Sequence, residues 1–514
     1  MRFHGESRQD RYDVIVVGSG IGGLTTAALL ARSGREVLVV ERHDRVGGYA
    51  HSFRRGRYAF DSSVHLVGGC EPSAYEGGGL IHQLLRKLEV RDRVDFQRID
   101  PCYAAVYPGT VLHAPSDLDD FIRVHSNAFP DEAKGIERIV HECLNIRQET
   151  RRAAELSSPT EVVQNPDRFP TLLRYRRATL ATVLDDHIGS PKLKAMLGTL
   201  WPYLGLPPSQ VSFLYFATML MSYIADGAYY CRGSFQRFAD ALADAVTENG
   251  GEVLLRSPVR RITVAAGRAR GVVLENGQRI ESDLVLSNAD ANQTIRDLVG
   301  PQEFPTNYLK RLDHMKPSIS AIVAYLATDL PLQSNDVAHE TFIFPSWNHD
   351  DAFATCATGE PSWASVTVPT LADPGLAPAG EHLMVLTSLV RHDALCWRGA
   401  KQAVARGLIR IAERQMPGLE RSIRFLDVGT PRTMERYTRN SDGAIYGWEI
   451  SPAQVGPGRL AMKTPVEQLY LVGHWTHPGG GVNGVVWSGV QAARTILGFE
   501  HESQLWDSIG AARS

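Results

Sequence analysis

The chain is 514 residues long, carries a formal net charge of −3 and is 22% charged. That length holds two or more domains around ample core, and the near-even charge argues against a nucleic-acid-binding surface. Its six cysteines are scattered without a C-x-x-C pair, so neither a zinc site nor a disulfide framework is expected, and no metal. Free thiols in a reducing cytosol are the expectation. Met1–Arg11 is polar and lacks the apolar core of a signal peptide. No apolar run reaches the ~18 residues that span a bilayer, so the expected location is cytoplasmic.

Tyr12–Val17 reads as a buried strand, followed by Gly18, Gly20 and Gly23 in the spacing G-x-G-x-x-G. A helix-like run from Leu24 to Arg32 stops at Gly34, and a second strand, 36–40, ends in Glu41. This is a complete strand–turn–helix–strand unit. The glycines permit the tight turn, the approach of backbone to a pyrophosphate and the packing of helix on strand. The helix N-terminus offers N–H groups and partial positive charge to phosphates. Glu41, 23 residues after Gly18, is placed to hold ribose hydroxyls. The doublet Gly47-Gly48 follows Arg45 and precedes Ser52-Phe53, bringing more backbone N–H groups to a long cofactor.

Further along, Leu80–Leu88 reads as a helix, and Tyr103–Tyr107 and Val111–His113 as short strands. The region from Asp117 to Tyr230 is mostly helical in pattern. Within it, Leu197–Ala225 is rich in aromatics and methionine. It fits an ordinary buried helix pair, an apolar wall for a hydrophobic substrate, or a membrane-facing lip. Ala239, Leu242, Ala243 and Val246 mark an amphipathic helix stopped by Gly250-Gly251. Val253–Leu255, Val259–Val264 and Leu284–Leu286 read as strands, with a hairpin turn at Asn276-Gly277. Apolar runs at 319–330 and 382–390 suggest a second sheet. A last strand, 469–473, runs into the glycine loop 474–481 and a helix, 482–497. That loop contains a second formal G-x-G-x-x-G, but no strand ending in an acid follows it. Such a loop feeding a helix N-terminus suits the pyrimidine end of a flavin, which gains negative charge on reduction.

Three groups of residues together resemble the phytoene desaturase superfamily of FAD proteins, including its carotenoid isomerase and all-trans-retinol saturase branches. They are Gly18-Ser19-Gly20-Ile21-Gly22-Gly23, Gly47–Phe53 with Phe60–His65, and Gly473 through Gly489. Ala228–Ser234 resembles a further segment of that branch. Tyr49 stands where the second arginine of R-x-G-G-R is usual, and Ser63 replaces a glycine. The resemblance implies an α/β fold: a three-layer, Rossmann-like FAD-binding domain interleaved with an α+β substrate domain that carries a mixed sheet and a helical cap. The expected division is 10–75, 228–298 and 425–500 for FAD, with 76–227 and 299–424 for substrate. FAD would be held by Gly18, Gly20, Ile21, Gly22, Gly23, Glu41, Arg42, Gly47, Gly48, Tyr49, Ala50, Val259, Gly473, Gly480, Gly481 and Val482. His65, Tyr230 and His477 are the expected catalytic candidates. Trp475 would line the flavin or simply pack, and Arg432 would bind an anion or be solvated.

The implied activity is desaturation or saturation of carbon–carbon bonds in a lipophilic polyene by hydride transfer with the flavin. The alternative is a reduced-flavin-dependent cis/trans polyene isomerase. Amine oxidases share the nucleotide fold, but no cysteine is placed here to bind flavin covalently. Rab GDP-dissociation inhibitors share the architecture and carry prenylated proteins, yet a carrier without flavin has no need of the glycine sets at both ends. No separate NAD(P) domain is visible, so oxygen, a quinone and a bound nicotinamide all stay open as electron partner. Peripheral membrane contact would suit an apolar substrate, although the sequence shows no anchor.

Overall fold

The computed structural model describes residues 6–75, 79–156, 160–332 and 337–511. Five parallel strands form the core of the first sheet, in the order Glu252–Leu254, Val37–Val40, Arg11–Val17, Arg279–Ser287 and Leu469–Leu471. Arg279–Ser287 is one continuous strand where the sequence suggested separate pieces. Its first three residues pair antiparallel with Arg268–Leu274 around the expected Asn276-Gly277 turn, and most of its length runs parallel to Arg11–Val17. Val14 and Val16 face one core while Ile15 and Val17 face another, which is the period-two alternation of a strand covered on both sides. The helices Ile21–Arg32, Gln236–Glu248 and Val482–Leu497 cover the first face. The hairpin of Val259–Ala265 and Arg268–Leu274 folds over the other, through Ile262, Val272 and Leu274.

The second sheet has seven strands, ordered 423–429, 320–328, 382–390, 364–367, 340–343, 103–107 and 110–114. Ser320–Thr328 and His382–Val390 pair antiparallel along their whole length, as the two apolar runs suggested. Ile423–Gly429 belongs to this sheet, so the expected boundary at residue 425 falls inside a strand of the second sheet rather than between domains. The chain therefore crosses between the two sheets several times. Helices from Leu118 to Ile224 pack beside the second sheet as a cap.

The aromatic stretch is largely core. Trp201, Phe213, Phe216 and Met221 are buried, and the Phe213–Ile224 helix packs on the Ala133–Ala154 helix. Only Pro202 and Tyr203 from this stretch reach the large cavity described below. Among the described residues no helix is long and apolar enough to cross a membrane.

Candidate functional site

The C-terminal ends of the parallel strands converge, and chain order reverses there between Arg11–Val17 and Arg279–Ser287, where open α/β sheets bind ligands. Gly18 follows Arg11–Val17, Glu41 follows Val37–Val40, Asn288 follows Arg279–Ser287 and Gly473 lies just past Leu469–Leu471. The two N-terminal glycine motifs lie against each other. The N–H of Gly47 donates to Ser19 O at 2.9 Å, and a Cβ on Gly48 would stand 3.0 Å from the Gly20 Cα. A side chain at Gly48 would push the loops apart. Glu41 spans the turn: Oε2 accepts from the Ser19 N–H and hydroxyl, both at 2.8 Å, and Oε1 accepts from the His43 N–H at 2.7 Å.

A cavity of about 990 Å³ opens over these ends, at the upper end of the range for cofactor sites. Of the residues expected to hold FAD, Gly18, Gly20, Ile21, Gly22, Glu41, Arg42, Gly47, Gly48, Tyr49, Ala50, Val259, Gly481 and Val482 line it. Gly23, Gly473 and Gly480 stand behind the lining. A Cβ on Gly23 would lie 2.5 Å from Gly18 O, and one on Gly473 would lie 2.5 Å from the Asn288 Oδ1. A Cβ on Gly480 would meet Tyr446 at about 3.0 Å. These three serve close packing. Asn288 was not singled out by the sequence, yet its amide wedges between the first helix and Gly473; its only signal was its place after a buried strand.

Two helix N-termini open onto the cavity, and both have a glycine cap without a capping side chain: Gly20 for Ile21–Arg32 and Gly481 for Val482–Leu497. Helices without a capping side chain leave their first N–H groups available to a ligand. The position of a Cβ on Gly481 is open space. The Gly473 N–H donates to the Ser488 hydroxyl at 3.0 Å, fixing the loop on its helix. A Cβ on Gly489 would come within 2.7 Å of Thr25, so this glycine lets the helices Ile21–Arg32 and Val482–Leu497 touch. The paired, uncapped termini fit a long dinucleotide of the flavin class. Arg42, Arg45, Arg436 and Arg439 also line the cavity and can offset phosphate charge. Tyr49 uses its hydroxyl elsewhere, donating to Ala444 O at 3.0 Å.

The other end of the cavity is apolar. Ala321, Val323 and Tyr325 point into it from alternate positions of one strand, and Phe342, Trp363 and Leu389 extend the wall. His65 lines the cavity, and its buried Nδ1 has no hydrogen-bond partner. Burial, with His339 nearby, pushes the His65 imidazole down to about 3, so it is neutral at physiological pH. It can orient a substrate but brings no imidazolium proton.

Tyr230 and His477, two of the expected catalytic residues, do not line the cavity. Tyr230 is fully buried and donates its hydroxyl to Asp61 Oδ2 at 2.6 Å. Asp61 also accepts from the Ser52 hydroxyl at 2.7 Å and the Phe235 N–H at 2.8 Å. Tyr230 thus ties the second glycine motif to the strand Ala228–Cys231. Tyr230→Phe is expected to change kcat less than about threefold while costing about 1–2 kcal/mol of stability, read from denaturant midpoints. A hundredfold loss of kcat would place the phenol in the chemistry.

His477 lies on the far side of its loop, and burial with Arg459 and Arg311 lowers it to about 4. His474, three residues earlier, is the loop histidine that reaches the cavity, and nothing in the sequence separates it from His477. Trp475 packs edge-on against Trp448 and donates to Asn440 Oδ1 at 3.2 Å. Arg432 sits at the cavity rim, exposed and paired with Glu435 at 3.1 Å.

Burial raises Asp61 from 3.8 to about 6, against the lowering effect of its three hydrogen-bond donors. A raised carboxyl gives stability that is complete below the unfolded value and is lost as pH rises through the folded one. Wild-type stability should therefore fall between 3.8 and about 6 from this group. Urea midpoints of Asp61→Asn should show a shallower fall; an identical slope would remove Asp61 as its source.

A profile of flavin containing amine oxidoreductases matches residues 21–497, spanning both glycine-capped helices and everything between them. The chain belongs to that family. Among curated relatives, this chain is 28% identical to prolycopene isomerase 2 of an Oncidium hybrid cultivar, covering 97% of this chain and 86% of that protein. It is 26% identical to the all-trans-retinol 13,14-reductase of Rattus norvegicus, over 90% and 82%. It is 27% identical to the neurosporene-forming phytoene desaturase of Rhodobacter capsulatus, over 94% and 93%. A solved oxidoreductase from Methanosarcina mazei has the same fold, with a TM-score of 0.65 at 19% identity over 94% of this chain and 99% of that one.

Proposed function

We propose that the protein is an FAD-dependent oxidoreductase that desaturates or saturates carbon–carbon bonds of a lipophilic polyene. One observation carries this reading: a single cavity joins the two uncapped helix N-termini to an apolar wall of Ala321, Val323, Tyr325, Phe342, Trp363 and Leu389. A cofactor held by the residues at the first end would share this cavity with a substrate lying against the second. FAD, when bound, supplies hydride exchange with the substrate. The chain supplies a dry, shaped wall and neutral polar groups. The relatives named for prolycopene, all-trans-retinol and phytoene support a polyene as the substrate class.

An amine is a poorer match for this cavity. A buried ammonium group is held best by a facing carboxylate. The lining carboxylates Glu41 and Asp44 belong to the nucleotide end, and Asp427 at the rim is already paired with Arg55 at 2.9 Å. Arg398, Lys401 and Arg432 line the same cavity and would repel a cation.

The test is anaerobic stopped-flow mixing of FAD-loaded protein with long-chain polyenes and, separately, with primary amines. The oxidised protein should bleach, or the reduced protein reoxidise, with a polyene and stay unchanged with every amine. Bleaching with amines alone would make this an amine oxidase.

A further inference from the structure

The cavity is charged out of keeping with the chain. Eight lysine and arginine side chains line it against three carboxylates, although the whole chain carries a net charge of −3. Arg42, Arg45, Arg436 and Arg439 already suffice for the diphosphate of a dinucleotide, and Arg55 is paired with Asp427. Arg398, Lys401 and Arg432 remain, and the chain brings them in from the wall. Arg398 and Lys401 open the helix Trp397–Glu413, which follows the strand His382–Val390 and packs on it. Arg432 comes just after the strand Ile423–Gly429. Leu389 pairs with Ala321, and Gly429 with Val323, so these strands end beside the wall. Arg432 lies in the first turn of the helix Pro431–Thr438, whereas the last turn meets the nucleotide end, where Arg42 Nη1 donates to Arg436 O and Tyr437 O at 2.9 and 3.1 Å. Among the described residues Arg398 and Lys401 make no ion pair and no hydrogen bond. Their placement costs their helix stability, because its first turn has no acid and no capping side chain. Like charges three residues apart repel, and cations are disfavoured at a helix N-terminus. An anion at the rim would offset both effects.

We propose that the substrate is an anionic amphiphile: its polyene chain lies on the apolar wall, and its carboxylate or phosphate head is held at the rim by Arg398 and Lys401, with Arg432 beside them. This rests on the polyene of the reading above, not on the direction of its redox step. The Arg398 guanidinium is a planar fork of donors that matches either head bidentately, and Lys401 adds a mobile point charge. Arg432 is shared already. Glu435 Oε2 meets Arg432 Nη1 at 3.1 Å and His392 Nε2 at 3.0 Å, so a single carboxylate serves both. A head fixed at the rim sets which end of the substrate faces out and how far its chain reaches along the wall. The same contact thereby selects the carbon–carbon bond that reacts. A plain hydrocarbon would have no such register.

The test titrates FAD-loaded protein with polyenes of one chain length that end in a carboxylic acid, its methyl ester, the corresponding alcohol or the phosphate ester of that alcohol. The acid or the phosphate should bind about tenfold more tightly than the ester and the alcohol, and the tighter of the two anions names the head. The preference should shrink as salt is raised, because charges at an open rim are screened. The double variant Arg398→Gln, Lys401→Gln should reduce the anion to the affinity of the ester, with flavin content unchanged. The salt series on the wild type serves if that variant does not fold. Equal affinities for all four compounds overturn the proposal. So does loss of flavin from the folded double variant, which returns these cations to the nucleotide end. Wild-type protein that prefers anionic over neutral lipid vesicles, yet shows no preference among the four polyenes, assigns the rim to a bilayer surface and overturns it too. Turnover that changes mass by two hydrogens without any head-group preference overturns this proposal alone. Anion-selective binding with a product of unchanged mass overturns the redox reading and leaves the head-group site standing.

Discussion

Gly23→Val should leave the protein without flavin. A Cβ at this position would stand 2.5 Å from Gly18 O and 3.0 Å from the Asn288 Cβ. The first contact is with backbone, which cannot swing aside as a side-chain tip can. The first helix must therefore lift off the strand end, and the N-terminus aimed at the cavity goes with it. Overpacking of a tight site costs about 1–3 kcal/mol, and more when backbone must move. The expected result is at least a tenfold fall in the ratio of flavin to protein absorbance, with a lowered melting temperature. Gly34→Ala is the control. Gly34 has a φ of +83° but no atom within 4 Å of its Cβ position, so only backbone strain is added. It should lose about 1 kcal/mol and keep its flavin. Normal flavin content in Gly23→Val would mean that the turn does not shape the cofactor site.

Arg459→Met should be the most destabilising single change near the C-terminal loop. Arg459 is fully buried, and burial lowers its guanidinium only to about 10, so it remains charged at neutral pH. Among the described residues it has no carboxylate partner within salt-bridge distance. Backbone carbonyls surround it instead. Nε donates to Thr476 O at 2.9 Å, Nη1 to Gln454 O at 3.2 Å, and Nη2 to His474 O at 2.6 Å and Trp448 O at 3.2 Å. One side chain thereby ties the glycine loop to the 446–454 segment. Methionine fills much of the volume but satisfies none of the carbonyls, for an expected cost of about 3–5 kcal/mol. Lysine should rescue little, because an ammonium cannot reproduce the planar fork of donors. Denaturant midpoints and flavin retention measure both effects. A variant as stable as wild type would show that those carbonyls find other donors.

Much of the nucleotide-binding half was legible because its signals are local. G-x-G-x-x-G between a buried strand and an apolar helix, Glu41 at the end of the next strand, and Asn276-Gly277 between two strands each lie within one short window. The paired apolar runs 320–328 and 382–390 were equally plain, since strands covered on both faces carry continuous apolar sequence. What failed was placement across long separations. Tyr230 looked like a pocket residue beside its motif, but the strand Ala228–Cys231 turns it toward Asp61, 169 residues earlier. His477 and His474 sit in the same loop, and only backbone geometry decides which one reaches the cavity. Asn288 carried little signal beyond its place after a buried strand, because the glycines it packs against, Gly20, Gly22 and Gly473, lie far away in sequence. The aromatic stretch around Phe213 advertised a substrate wall, while the wall itself comes from strands more than a hundred residues later.

The central claim is that the cavity couples a flavin to a polyene for redox chemistry. The most direct measurement is an anaerobic incubation of the protein with a panel of polyenes, once with oxidised FAD and once with chemically reduced FAD. Products are read by mass and retention time. The expected product is two hydrogens lighter with oxidised flavin, or two heavier with reduced flavin, matched by flavin bleaching or reoxidation. A product of unchanged mass and altered retention, formed only with reduced flavin, would contradict it and make the protein a polyene isomerase.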